Sequence, residues 1–143
     1  MIPERYAPMT YALFRIVFGF VFLCIGLQKL FGWFGAKGAA ELMSLQGAAG
    51  VIETVCGLLI MIGLLTKLAA FLASGEMAVA FWYIHVSVLA MGADGAGLPM
   101  GLLPIMNGGE RATLFCFAFL YIATRGAGIW SVDASMGKTG RPT

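Results

Sequence analysis

Arg15, Glu53 and Glu76 stand inside stretches that are otherwise apolar, and Lys29, Glu110 and Arg111 stand at the edges of such stretches. Carboxyl groups donate and accept protons, and a lysine or arginine beside them either pairs with them or holds an anion. A charge at the centre of a bilayer costs ~3 kcal/mol on translocon scales. Charges so placed pair with one another, line a polar site inside a helix bundle, or do both. The pattern locates a site without naming a substrate.

The rest of the chain says why these residues count as intramembrane. Its 143 residues are 60% hydrophobic and only 11% charged, with a mean hydropathy of +0.90, whereas soluble domains carry roughly 25% charged residues. Such a chain belongs in a bilayer. A net charge of +2 without a basic cluster points away from nucleic acid. No cleavable signal is expected, and the first span reads as an uncleaved signal-anchor. No segment outside the spans is long enough for a domain of its own, so a bulky cofactor would sit in the bundle or on a partner.

The expected fold is all-α: a single domain over residues 1–143, an antiparallel bundle of four transmembrane helices at about 11–31, 48–65, 68–91 and 108–124. The uncharged middle of the first span, Ile16 to Leu27, is too short to cross ~30 Å of hydrocarbon at 1.5 Å per residue. That span must therefore take in Arg15 at one end and Gln28 and Lys29 at the other. Thr66-Lys67 leaves room only for a short turn, which makes spans two and three a hairpin. The apolar stretch from Leu98 to Met106 reads as a lid over the bundle mouth or a dip into the interface. Arg5, Arg15, Lys67, Arg125, Lys138 and Arg141 fall on one side, and Lys29, Lys37 and Arg111 on the other. The positive-inside rule then puts both termini in the cytoplasm.

Depth sorts the charges into two layers. Arg15 and Glu76, counted from the inner ends of their spans, differ in depth by only ~5 Å, which predicts an ion pair. An outer layer gathers Lys29, Glu53, Glu110 and Arg111, joined by Gln28, His85 and Asn107. Glu53 and Glu110 are the candidates for proton transfer. Lys29, Gln28, His85, Asn107 and Arg111 are the candidates for holding a quinone headgroup or another small polar molecule. The bland alternative for both layers is ion pairing that fixes helix rotation. Asn107-Gly108-Gly109-Glu110 also fits a capping box at the start of the last span.

His85 is the lone histidine, so a bis-His haem within one chain is excluded and no metal site is expected. Its plain reading is a hydrogen-bonded polar side chain inside the bundle. Cys24, Cys56 and Cys116 are scattered through apolar runs and read as packing residues.

A set of motifs in order carries a family resemblance. They are Arg15-Ile16-x-x-Gly19-x-x-Phe22, Gly26-x-Gln28-Lys29-Leu30-Phe31-Gly32-Trp33-Phe34-Gly35 and Glu53-x-x-x-Gly57-Leu58-Leu59. Gly63-Leu64-Leu65-Thr66-Lys67, Asn107-Gly108-Gly109-Glu110 and Gly126-x-Gly128-x-Trp130-Ser131-x-Asp133 follow. Over nearly its whole length the chain resembles the DoxX family of small bacterial membrane proteins. The resemblance implies a four-helix bundle in the bacterial cytoplasmic (inner) membrane and redox work. Some members resemble the membrane subunit of a thiosulfate:quinone oxidoreductase. Others resemble organisers of thiol-redox and superoxide-detoxifying partners.

Three functions follow. The first is a subunit linked to quinone-dependent redox chemistry, with quinone as cofactor and membrane or peripheral redox subunits, or further copies of itself, as partners. The second is a non-catalytic accessory subunit of a bioenergetic complex. A small-solute carrier or pore ranks last, because four short helices leave little room for alternating access. The chain has no cysteine pair, so thiol chemistry of its own is not expected.

Overall fold

The first apolar run forms α1, Ala7–Phe31, after a single 3-10 turn at Glu4–Tyr6. Pro8 suits the first helical turn, where its missing N–H is not needed. Gly32 ends the helix in the left-handed conformation (φ 67°) and donates back to the Gln28 carbonyl. The computed structural model describes residues 3–36, 38–88 and 102–137, with backbone only at Ser87 and Val88.

Ser44 starts α2, Leu45–Ile62, by accepting from the Gly47 N–H at 3.0 Å. Gly63 (φ 74°) ends it. Helix α3, Thr66–Ala80, follows at once and continues as a π-helical stretch, Phe81–Val88. Next come a short α4, Pro104–Asn107, then α5, Glu110–Arg125, and a one-turn α6, Val132–Ser135. The described residues are all helix, turn and loop.

Among the described residues, three helical stretches are long and apolar enough to cross a membrane: Glu4–Phe31, Leu45–Ile62 and Thr66–Val86. They match the first three expected spans to within a turn or two. Residues 89–91 of the third expected span lie outside the described residues. So do Lys37, Lys138 and Arg141 from the charge count, and most of the expected lid. Within that lid, Leu102, Leu103, Ile105 and Met106 are exposed. The fourth expected span becomes α5. Its 16 residues rise ~24 Å, short of the ~30 Å hydrocarbon thickness.

Helix α1 packs along α2, and α3 along α5. Phe22 and Phe119, both fully buried, meet between α1 and α5 with ring centroids 4.6 Å apart. Phe115 stacks on Phe119 and meets Phe18 edge-on. The three thiols are free; Cys56 is buried, and the Cys116 carbonyl accepts from Ser74 Oγ at 2.8 Å, tying α5 to α3.

The α1–α2 contact depends on absent side chains. A Cβ on Gly57 would lie 2.5 Å from the Leu23 N and 2.8 Å from its Cα, and Gly19 faces α2 in the same way. Small residues let two backbones approach where apolar side chains gain nothing by leaving lipid. Gly57→Val is expected to destabilise the protein at or beyond the upper end of ~1–3 kcal/mol, because backbone has to move. Gly75→Ala, with nothing within 4 Å of the new Cβ, should be neutral or slightly stabilising. Thermal unfolding in detergent followed by circular dichroism checks both; a Gly57→Val protein as stable as the wild type would show that the contact is looser than this.

Candidate functional site

A tight turn sets the level of two carboxylates. Helices α2 and α3 run antiparallel from the turn at Gly63–Leu65. Glu53 lies nine residues before α2 ends at Ile62, and Glu76 ten residues after α3 begins at Thr66. At 1.5 Å per residue they stand ~14 and ~15 Å from the turn. Lys29, in the last turn of α1, reaches the same level and donates from Nζ to Glu53 Oε1 at 2.7 Å. Glu53 is 1% exposed. Glu76 is within electrostatic reach of both Glu53 and Lys29. Glu53 Oε2 and Glu76 Oε2 are buried without a hydrogen-bond partner among the described residues.

A cavity of about 750 Å³ lies between α2 and α3 beside this group. Lys29, Glu76 and Tyr83 are on its wall, but most of the lining is apolar, including Val55 and Phe71. Those two side chains are exposed, so the cavity is a groove that opens outward, which in a bilayer means towards lipid. Such a shape accepts a molecule with an apolar body and a few polar atoms.

The expected Arg15–Glu76 ion pair is not formed. Arg15 is fully buried, and its guanidinium is used on backbone instead. Nη1 donates to the carbonyls of Ile60 (2.6 Å) and Met61 (2.7 Å), and Nη2 to that of Trp130 (2.7 Å). Ile60 and Met61 are in the last turn of α2, whose carbonyls have no partner within the helix and carry the negative end of its dipole. The depth estimate failed because it counted Glu76 from an assumed span end, while the shared turn fixes it opposite Glu53.

Asp133 is the matching device on the next helix. Its carboxylate accepts from the N–H groups of Leu65 and Thr66 and from Thr66 Oγ1, each at 3.1 Å. Leu65 sits at the N-cap of α3 and offers no side-chain acceptor, so a residue distant in sequence supplies one. No role was expected for Asp133. The expected turn at Thr66-Lys67 hid the signal; with the turn at Gly63–Leu65 the start of α3 is left without a Ser, Thr, Asp or Asn at its N-cap. The Asp133 N–H also donates to the Gly63 carbonyl at 2.9 Å, so residues 126–135 form a plug on the hairpin.

The remaining candidates lie elsewhere. Gln28 Nε2 makes a long 3.4 Å bond to the Phe34 carbonyl. His85 Nδ1 is 3.0 Å from the Asn107 carbonyl. Asn107 does not form the expected capping box: its Oδ1 accepts from the Gly109 N–H at 2.8 Å, and the N-cap of α5 is Gly109. This is an Asx turn, favoured because α4 ends at Gly108 before α5 begins. Glu110 is half-buried in the first turn of α5 and Arg111 is exposed. None of these five lines the groove. The structure thus joins Lys29, Glu53 and Glu76 in one group and His85 with Asn107 in another.

Arg15→Met should cost about 3 kcal/mol, since two carbonyls at the end of α2 and that of Trp130 lose a charged donor. Arg15→Lys should rescue little, because one ammonium cannot copy the planar fork. Glu76→Gln breaks no bond and should stay within ~0.5 kcal/mol of wild type. Unfolding midpoints of the three variants decide it, and equal losses in Arg15→Met and Glu76→Gln would restore the ion pair.

The DoxX family model matches residues 10–86, a stretch that contains Arg15, the Lys29–Glu53 pair and Glu76. An uncharacterized protein of Haemophilus influenzae is 38% identical over 137 residues, covering 91% of this chain and 92% of that protein. An uncharacterized membrane protein of Mycobacterium tuberculosis is 27% identical over 138 residues, covering 92% of this chain and 83% of that protein. No solved structure matches. With its apolar helices, its matched stretch and a relative alike from end to end, the chain belongs to the DoxX family of membrane proteins.

Proposed function

We propose that this protein is a quinone-handling subunit of a redox complex in the bacterial cytoplasmic membrane. The observation that carries this reading is the α2–α3 groove, apolar along its walls and charged at one level. A quinone has the matching form: a polar ring on an apolar tail, delivered from within the bilayer. Lys29 supplies N–H donors to a ring oxygen, while Glu53 keeps that ammonium charged and aimed. Glu53 and Glu76 are the proton-exchanging groups nearest the ring. Electrons pass to or from a partner subunit.

In this reading α5 is the fourth crossing of an antiparallel bundle. It runs beside α3 over that helix's length: the Lys67 stem lies against Gly126 at one end, and the Phe81 ring against Gly109 at the other. Residues flanking α5 make up the missing length. Lys67 and Arg125 lie at the hairpin end with Arg15, and Arg125 stacks over the Tyr11 ring at 5.5 Å. Positive charge gathered at that end supports cytoplasmic termini.

A second reading rests on the Lys29–Glu53 bond itself. It spans the close α1–α2 contact, where a Cβ on Gly26 would strike Thr54, and so serves to hold two helices together in an accessory subunit.

One experiment separates the two. The tagged protein is extracted in nanodiscs from its own membranes, and its quinone content and co-purifying proteins are measured. Gly75 lines the groove and has open space at its Cβ, so Gly75→Leu fills the groove without straining the backbone. The quinone reading expects bound quinone in the wild type, and at least a tenfold loss in Gly75→Leu with partners retained. Partners without quinone in either protein, and no uptake of added quinone, would leave the accessory reading.

A further inference from the structure

We propose that the groove selects the reduced, hydroxyl-bearing form of its ligand, and that Glu76 is the residue that makes the selection. This rests on the quinone reading above and goes beyond it. Donors and acceptors do not balance at one level of the hairpin. Lys29 is the cation there; one of its N–H groups is committed to Glu53 Oε1 at 2.7 Å, and the others can meet a ring oxygen of either redox form. Two carboxylate oxygens, Glu53 Oε2 and Glu76 Oε2, are buried without partners among the described residues. Glu76 lies on the groove wall, whereas Glu53 is buried and does not line the groove.

A buried acceptor without a donor is costly, and the cheapest remedy is a ligand that brings the donor. An oxidised quinone brings only carbonyl acceptors, which give the ionised Glu76 carboxylate no donor. A quinol brings O–H groups, and one of them donates to the Glu76 carboxylate, whose two oxygens exchange by a turn of its last side-chain bond, while the ring lies along the apolar wall. An anionic ligand adds charge to a site whose carboxylates already outnumber its ammonium, and is disfavoured.

The local backbone supports a ligand at this place. Directly after Glu76 and Ala80, α3 loosens into the π-helical stretch Phe81–Val88, and its Tyr83 and Ile84 complete the groove wall. Wide helical turns of this kind are rare and concentrate at functional sites. Here the stretch turns two bulky side chains to the groove beside the unpartnered carboxyl group.

The test uses the whole protein in lipid nanodiscs under anaerobic conditions, with decylubiquinol and decylubiquinone as probes. Binding of each is measured on wild type and on Glu76→Gln, whose amide carries both donor and acceptor. The expected result is at least about tenfold tighter binding of the quinol by wild type, with the ratio falling to near one in Glu76→Gln. A role in folding alone would weaken both probes equally and keep the ratio. Equal or tighter binding of the quinone by wild type overturns the selection while the quinone reading stands. A wild-type ratio that survives in Glu76→Gln overturns the assignment to Glu76. Binding of neither probe by folded wild type overturns both this inference and the quinone reading.

Discussion

Arg15 holds three parts of the chain that sequence keeps far apart. It is fully buried on α1, and its fork closes the last turn of α2 and the carbonyl of Trp130 beyond α5. The Ile60 carbonyl also accepts from the Gly63 N–H at 3.2 Å, and where water is scarce the charged guanidinium is the stronger donor to all three. Asp133 does the converse for the exposed N–H groups at the start of α3. The sign of each charge suits the helix end it meets, a cation at a C-terminus and a carboxylate at an N-terminus. The hairpin turn is thereby clamped from both sides, and everything measured from that turn inherits its register.

That clamp explains why charged residues at the two ends of one hairpin do different things. Arg15 and Asp133 are absorbed by backbone, with only the Arg15 Nε left over. Lys29, Glu53 and Glu76 contain one ion pair and two carboxylate oxygens with nothing to accept. Natural cores tolerate very few such atoms. Where they persist beside a groove, the shortage is an argument for a ligand; where they are absent, as around Asp133, the charges are accounted for by the fold alone.

Much of this was legible in the sequence. Apolar run lengths located α1, α2, α3 and α5, and the rarity of intramembrane charge picked out Arg15, Lys29, Glu53 and Glu76. Depth put Lys29 and Glu53 in one outer layer, since one ends an outward span and the other starts the return, but it did not single them out as a pair from Glu110 and Arg111. Arg15–Glu76 did not follow, because the expectation offered Arg15 only charged partners. Backbone carbonyls at a helix end are acceptors too, and a residue list does not display them. Asn107 failed for a related reason: the pattern Asn-x-x-Glu fits a capping box only if the helix begins at once, and the intervening Gly108 (φ 71°) instead closes α4.

Register is the step that links clamp to site. Each residue of an α-helix turns the chain by about 100° and advances it by about 1.5 Å. Glu53 and Glu76 share a level because the helices leave a common turn with nearly equal counts, and Glu76 meets the groove because of its angle on α3. A slip of one residue between Thr66 and Glu76 would barely change its depth but would swing its carboxyl group off the groove wall. The hydrogen bonds from Leu65 and Thr66 to Asp133 fix where α3 begins, so they set that angle from ~15 Å away. The plug at residues 126–135 thus belongs to the geometry of the carboxylate group, although it touches none of its members.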